Sequence, residues 1–250
     1  MPVALNQLSG EIYPSVNTVI LQEAVYIREA VTARLRQSQG FGALFSAAQA
    51  GPATAALAQG LTPTLWAQGF GGWGNAFGDG NAATISSSVG GFFAGLDVGV
   101  TENIRAGIVA GFSQTQFDVD ARNSSGNMNN YDIGIYAGGQ FGAFLTYTCH
   151  EVSVGRTVLF PGFTGATEGS YTVGTTQVFG EAAYDFGIGA YAFEPFVGLA
   201  YLNVSGGSLS EGGFAANGSA LSVDIDGMNT LYTTLGIRAA TSLSVNGRTL

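Results

Sequence analysis

His150 and Glu151 are the side chains best suited to acid–base or nucleophilic chemistry, because an imidazole titrates near neutral pH and a carboxylate can orient it. His150 is the one histidine of the chain, so a Ser-His-Asp relay would have to use it. The two residues are adjacent, however, and the alternation around them reads as a strand, which sends neighbouring side chains to opposite faces. They are not placed to act together. Cys149 is the one cysteine, which excludes an intrachain disulfide and makes a cysteine metal site implausible. It reads as a small residue on an apolar face. Asp224, Asp226 and Asp79 offer carboxylates to a cation, but no Asp-x-Asp-x-Asp-Gly loop of binding length is present. The pairs Gly71-Gly72, Gly90-Gly91 and Gly138-Gly139 open no helix and are not phosphate loops. No catalytic residue, metal or cofactor is expected, and the chain is not expected to be an enzyme.

The remaining charges are few. Of 250 residues, 10% are charged, against about a quarter in ordinary domains. All basic residues are arginine, and the net charge of −9 excludes a general nucleic-acid binder. Glycine is 39 of 250, aromatics are 12%, and mean hydropathy is +0.26. No apolar run approaches the ~18 to 20 residues of a membrane helix. Two classes fit: a glycine-rich soluble β protein, or a transmembrane β-barrel, whose apolar residues come at every second position. The first residues, MPVALNQLSGEI, lack a basic and an apolar leader segment. An outer-membrane protein needs such a leader, so the barrel reading implies a piece of a longer chain.

The elements that must position the charges follow from two periodicities. Residues 16 to 37 carry Val16, Val19, Ile20, Ala24, Ile27, Ala30 and Val31 at helical spacing. Pro14 and Ser15 mark the start, with Ser15 as N-cap. The helix holds Glu23, Arg28, Glu29 and Arg34, acids early and arginines late, as the helix dipole favours. Its ~33 Å length matches one bilayer core, but it is too charged to face lipid. Residues 38 to 62 read as a linker.

From residue 64 the period is two. Phe92, Ala94, Leu96 and Val98 alternate with Phe93, Gly95 and Asp97; Ile104, Ala106, Ile108 and Ala110 alternate with Arg105 and Gly107; Ile133 and Ile135 alternate with Asp132 and Gly134. Eight such strands are predicted, each near the ~10 residues a tilted membrane strand needs. Long polar connections (75 to 85, 118 to 129, 155 to 170, 205 to 226) alternate with short ones (101 to 103, 139 to 142, 187 to 189, 245 to 247). Outer-membrane barrels keep this alternation, with the long loops outside. Asp97, Arg105, Asp132, Glu181, Glu194 and Arg238 fall on the parity opposite the apolar residues and are predicted to line a lumen, since a basic residue facing mid-bilayer lipid costs ~2 to 4 kcal/mol. Small residues between them leave room for one helix of ~10 to 12 Å diameter.

These segments resemble the C-terminal translocator domain of the autotransporter family of type V secretion. The likeness is carried by LSGEIYPS (8 to 15), WAQGFGGWG (66 to 74), VGGFFAGLDVGV (89 to 100), RAGIVAGFS (105 to 113), YDIGIYAGGQFG (131 to 142), GRTVLFPGF (155 to 163), QVFGEAAYDFG (177 to 187), FEPFVGLAYL (193 to 202) and YTTLGIRAAT (232 to 241). The ordered set covers nearly the whole chain. Cys149 stands where the family tends to carry Trp, and Gln68 where Arg is common.

The resemblance implies an all-β, up-and-down transmembrane barrel of 12 antiparallel strands, about eight of them present here, with an N-terminal α-helix threaded through the lumen. Residues 1 to 15 would be the end of a passenger, 16 to 37 the pore helix, 38 to 62 a linker and 64 to 250 an incomplete barrel. The implied role is an outer-membrane translocator and anchor that assists export of an N-terminal passenger. Its partners would be outer-membrane lipid, its own passenger segment and the outer-membrane insertion machinery; no cofactor and no nucleic acid is implied. A competing reading is a self-contained, porin-like barrel that closes by pairing its eighth strand with its first and keeps the helix outside the lumen.

Overall fold

The computed structural model describes residues 2–37, 63–79, 82–101, 104–139, 141–188, 191–214, 218–241, 244–245 and 248–249. Helix α1 (Pro2–Leu8) leads through a short elbow into α2 (Ile12–Gln37). The strands are β1 (Thr64–Ala76), β2 (Ile85–Gly99), β3 (Arg105–Val119), β4 (Ser124–Gly138), β5 (Phe141–Phe160), β6 (Phe163–Ala183), β7 (Phe186–Ile188), β8 (Tyr191–Val204), β9 (Gly207–Ser210), β10 (Ser222–Ile225) and β11 (Met228–Thr241), followed by the two-residue β12 (Ser244–Val245) and β13 (Arg248–Thr249). One antiparallel sheet runs β1-β2-β3-β4-β5-β6-β8-β11, with β7 paired to β8. Among the described residues β1 and β11 do not pair, so the sheet is open. It curls around α2, which packs against β1 through β6.

Period-two burial gives the sheet two apolar surfaces. Ile108, Ile133, Ile135, Leu199 and Leu235 face away from the helix and are 51 to 77% exposed. A contiguous apolar face of this extent marks a lipid or partner surface. It has an edge. Phe112 pairs with Tyr131, and two residues outward Gln114, Asn129, Glu151 and Thr172 lie in register across four strands. On β8 and β11, Asn203 pairs with Asn229, two residues beyond the exposed Tyr201. An aromatic row followed by a polar one is the signature of a membrane interface.

Three expectations are corrected. The stretches 118 to 129 and 155 to 170 are not long loops. A single 3-10 turn (Asp120–Arg122) joins β3 to β4, and the sequence Phe160-Pro161-Gly162-Phe163 turns β5 into β6. Proline at the second place and Gly162 at φ +88° meet the needs of a tight turn. β5 and β6 are 20 and 21 residues long, about twice what crosses a bilayer, so the polar residues continue the ladder beyond the rim. The helix starts at Ile12 rather than Val16. Pro14 lies in its first turn, where a missing N–H costs nothing, and Ser15 Oγ donates back to the Glu11 carbonyl at 2.9 Å instead of capping. The porin-like closure is not formed, because β1 and β11 are separate edges and α2 lies inside the curl. The linker 38 to 62 lies outside the described residues, and each predicted short turn contains at least one undescribed position.

The inner apolar surface forms two clusters. One, below the rim, packs Ile27, Val31 and Leu35 of α2 on Trp66, Phe93, Phe144 and Phe179. The other, at and beyond it, packs Ile12, Tyr13, Val16 and Val19 on Phe117, Met128, Val152, Val154, Tyr171 and Val173.

The lumen and its helix as the candidate functional site

Asp97, on β2, is the centre of the inner end of the lumen. Its side chain is 1% exposed. Arg34 of α2 donates to it through Nε at 2.6 Å and Nη2 at 2.9 Å. Arg105, at the start of β3, donates through Nε at 2.6 Å, and the Tyr136 hydroxyl donates at 2.9 Å. Trp66 fixes Tyr136 in turn, donating its indole N–H to the hydroxyl at 2.7 Å. A buried carboxylate needs this many donors to replace lost water. Gly95 leaves space for the indole, since a Cβ there would lie 2.5 Å from the Trp66 ring.

A second charged group lies beside it. Arg238 of β11 bonds Glu194 and, at 3.2 Å, both oxygens of Glu181; Arg36 of α2 reaches Glu181 at 3.4 Å. The Arg238 guanidinium sits 3.6 Å above the Phe196 ring. The helix thus ends among charges supplied by β2, β3, β6, β8 and β11.

Midway along α2 the partners are neutral. Arg28 donates to Gln177 Oε1 at 3.0 Å, and Gln177 Nε2 donates to the Ala24 carbonyl at 3.0 Å. Glu23 accepts from Asn130 Nδ2 at 2.8 Å and from the Thr115 hydroxyl. With its amide nitrogen so engaged, Asn130 presents its oxygen to His150 Nδ1 at 2.7 Å. The imidazole therefore carries its proton on Nδ1 and accepts from the Thr175 hydroxyl through Nε2 at 2.9 Å. Asp132 accepts from the Thr148 hydroxyl at 2.6 Å.

Of the residues singled out above, Arg34, Asp97 and Arg105 come together, as do Glu181, Glu194 and Arg238. Glu23 and Arg28 meet amides and a hydroxyl rather than opposite charges, and Asp132 makes no hydrogen bond or ion pair to α2 among the described residues. Glu29 is exposed and has no ion pair among the described residues. Trp66, Tyr136, Gln177, Asn130 and Arg36 also belong to the site; inward parity marks the four strand residues and charge marks Arg36, but no local feature of the sequence names their partners. His150 is buried in the polar belt, while Glu151 faces outward beside Tyr131. No group of three or more His, Cys, Asp or Glu able to hold a metal occurs among the described residues. The arrangement can grip a helix by its charged and polar side chains.

The autotransporter beta-domain family model matches residues 65–250. Two extracellular serine proteases of Serratia marcescens are 32% and 30% identical over 243 residues, which is 95% of this chain and 22% of each relative. The chain thus spans about a fifth of the length of these relatives, and the protease name belongs to those larger proteins. Two solved structures share the fold. The translocator domain of the autotransporter NalP from Neisseria meningitidis superposes with TM-score 0.52 at 13% identity, covering 74% of this chain and 62% of that one. The beta domain of the Bordetella autotransporter Brka superposes with TM-score 0.53 at 18% identity, covering 74% and 72%. The open antiparallel sheet with its apolar outer face, the helix on its inner face and the match over residues 65–250 lead to one conclusion: this chain belongs to the autotransporter beta-domain family, the outer-membrane translocators.

Proposed function

We propose that the chain anchors an N-terminal passenger in the outer membrane and assists its export, with α2 as the final segment of the exported polypeptide held in the lumen. The observation that carries this is the fork between Arg34 and Asp97, which ties the inner end of the helix to the wall through a carboxylate shared with Arg105. Residues 1 to 15 belong to the passenger side of this boundary, 38 to 62 link helix to wall, and 64 to 250 supply wall. Glu23, Arg28 and Arg34 are assigned to gripping the helix, and Asp97, Arg105, Asp132, Glu181, Glu194 and Arg238 to the lining that receives it. Glu29 is assigned to the helix face turned away from β1 to β6. Outer-membrane lipid covers the apolar face, and the insertion machinery acts on the sheet during assembly. No catalytic role is assigned to the chain itself.

The experiment is to join a small folded reporter ahead of residue 1 and express the fusion with the rest of its reading frame. Surface exposure of the reporter to protease on intact cells supports the assignment. A reporter that remains inside while the sheet is folded in the outer membrane would overturn it.

A further inference from the structure

Arg156 and Glu211 form an ion pair with both side chains 0% exposed, far from the inner cluster around Asp97. Arg156 lies on the part of β5 beyond the polar rim. Glu211 follows β9 in the connection between β8 and β11. The Glu211 carboxylate accepts from Arg156 Nε at 2.6 Å, Arg156 Nη2 at 2.5 Å, the Tyr13 hydroxyl at 2.5 Å and the Leu221 N–H at 2.9 Å. The same guanidinium donates to the carbonyls of Gln7, Ser9 and Ser219. One ion pair therefore holds three things at once: the wall, the connection, and the elbow between α1 and α2.

The described parts of this connection, β9 and β10, fold inward. β9 and β10 pair as a small ladder separate from the main sheet, and Leu209 and Ile225 are buried with Ile12, Tyr13, Val16, Tyr171 and Val173. Gly212 exchanges two backbone hydrogen bonds with Glu168 of β6, at 2.8 and 2.9 Å, and Ala166 N–H donates to the Phe214 carbonyl at 3.0 Å. Gly169 accommodates the fold, since a Cβ there would lie 2.6 Å from Leu209 Cδ1. On the far side of the elbow the Glu11 carboxylate accepts from Arg122 and from the Ala83 N–H.

We propose that β9, β10 and Glu211 form a lid over the outer mouth of the lumen, latched by Arg156 onto the elbow of the helix, and that this latch closes the outer end independently of the contacts around Asp97. The lid buries the outer turns of α2 and fixes the point at which the chain leaves the lumen. It must swing aside while polypeptide is leaving, and it shuts when Tyr13 arrives beneath Glu211. The proposal rests on the outer-membrane reading above.

The test is thiol labelling of the chain, exported to the outer membrane of intact cells, by a membrane-impermeant PEG-maleimide. Cys149→Ser removes the native thiol, and reporters are placed singly at Leu5, exposed on α1, and at Val16, buried beneath the lid. With the latch intact, Leu5→Cys labels readily and Val16→Cys slowly. Glu211→Gln leaves a buried guanidinium without its counter-charge and raises Val16→Cys labelling by at least about tenfold. Tyr13→Phe removes one donor without altering the ring and raises it by about fivefold, keeping the test valid should Glu211→Gln fail to fold. Heat-modifiable migration in gels reports folding in each case. Labelling of Val16→Cys at the parental rate in folded Glu211→Gln and Tyr13→Phe chains would overturn the lid. A Leu5→Cys chain that labels only after lysis would instead overturn the orientation in the membrane, and the functional reading with it.

Discussion

Arg34 and Asp97, separated by 63 residues, meet in a two-bond fork at 2.6 and 2.9 Å, with the carboxylate almost wholly removed from water. Asp97→Asn keeps the shape but deletes the charge that Arg34 and Arg105 share, leaving the buried Arg34 and the part-buried Arg105 guanidiniums side by side. Removing one partner of a buried pair costs ~3 to 5 kcal/mol. The variant should unfold at correspondingly lower urea, read by heat-modifiable migration, while Arg34→Gln with Asp97→Asn should recover part of the loss.

The helix contacts near Gln177 and Asp97 should also restrict ion flow. Arg28→Glu together with Arg34→Glu sets a new acid against Asp97 and should raise single-channel conductance or leakiness of the completed barrel in planar bilayers. Unchanged conductance would remove the plug role from α2.

The outer apolar face should show the depth dependence of a bilayer. Ile133→Arg, in the middle of the band, should cost ~2 to 4 kcal/mol, and Gln114→Arg, beyond the aromatic row, ~0 to 1 kcal/mol. Urea titration of protein folded in lipid vesicles reads the difference. Equal costs would argue that the face does not meet lipid.

Gly95 and Trp66 share a space too small for another side chain. Gly95→Val should displace the indole, cost ~1 to 3 kcal/mol and break its bond to Tyr136. In a Trp73→Phe background Trp66 is the sole tryptophan, so a red shift of emission reports the displacement.

The outer latch should be acid-labile. Burial alone would raise the Glu211 carboxyl, but hydrogen bonds from Arg156, Tyr13 and the Leu221 N–H hold it below its ordinary 4.5. A group held below its unfolded value stabilises the fold above that value and loses its effect as pH falls through the folded one. Hydrogen-exchange protection over Leu209–Glu211 and Leu221–Ile225, normalised for intrinsic rates, should therefore be level from neutrality down to about pH 5 and decline below 4.5. Glu211→Gln should abolish that decline.

The two faces of the sheet were legible because their physics is local. Ile133 and Asp132 differ by one residue and therefore by one face, whatever the strand pairs with. Strand length was not legible. Ser124 to Asn130 carries one apolar side chain, Met128, among six polar or small residues, yet Ser124, Met128 and Asn130 are all buried, and nothing local distinguishes that from a loop. Pro14 misled for a similar reason, since a proline that precedes a helix and one in its first turn look alike in sequence. Partner choice is a property of register. That Arg34 would find Asp97 while Arg28 would find the neutral Gln177 depends on where α2 stops along its axis, which no window of sequence contains.

The length of β5 and β6 beyond the polar rim divides the molecule between two solvents. The cluster of Phe117, Met128, Val152, Val154, Tyr171 and Val173 stands at the level where the outward face is already polar. Its burial is driven by water, as in a soluble β protein, with a positive heat-capacity change on opening. On the proposed function, hydrocarbon covers the outward apolar face of the inner half instead. Dilution of detergent or lipid thus acts on one half only, while cooling loosens the other.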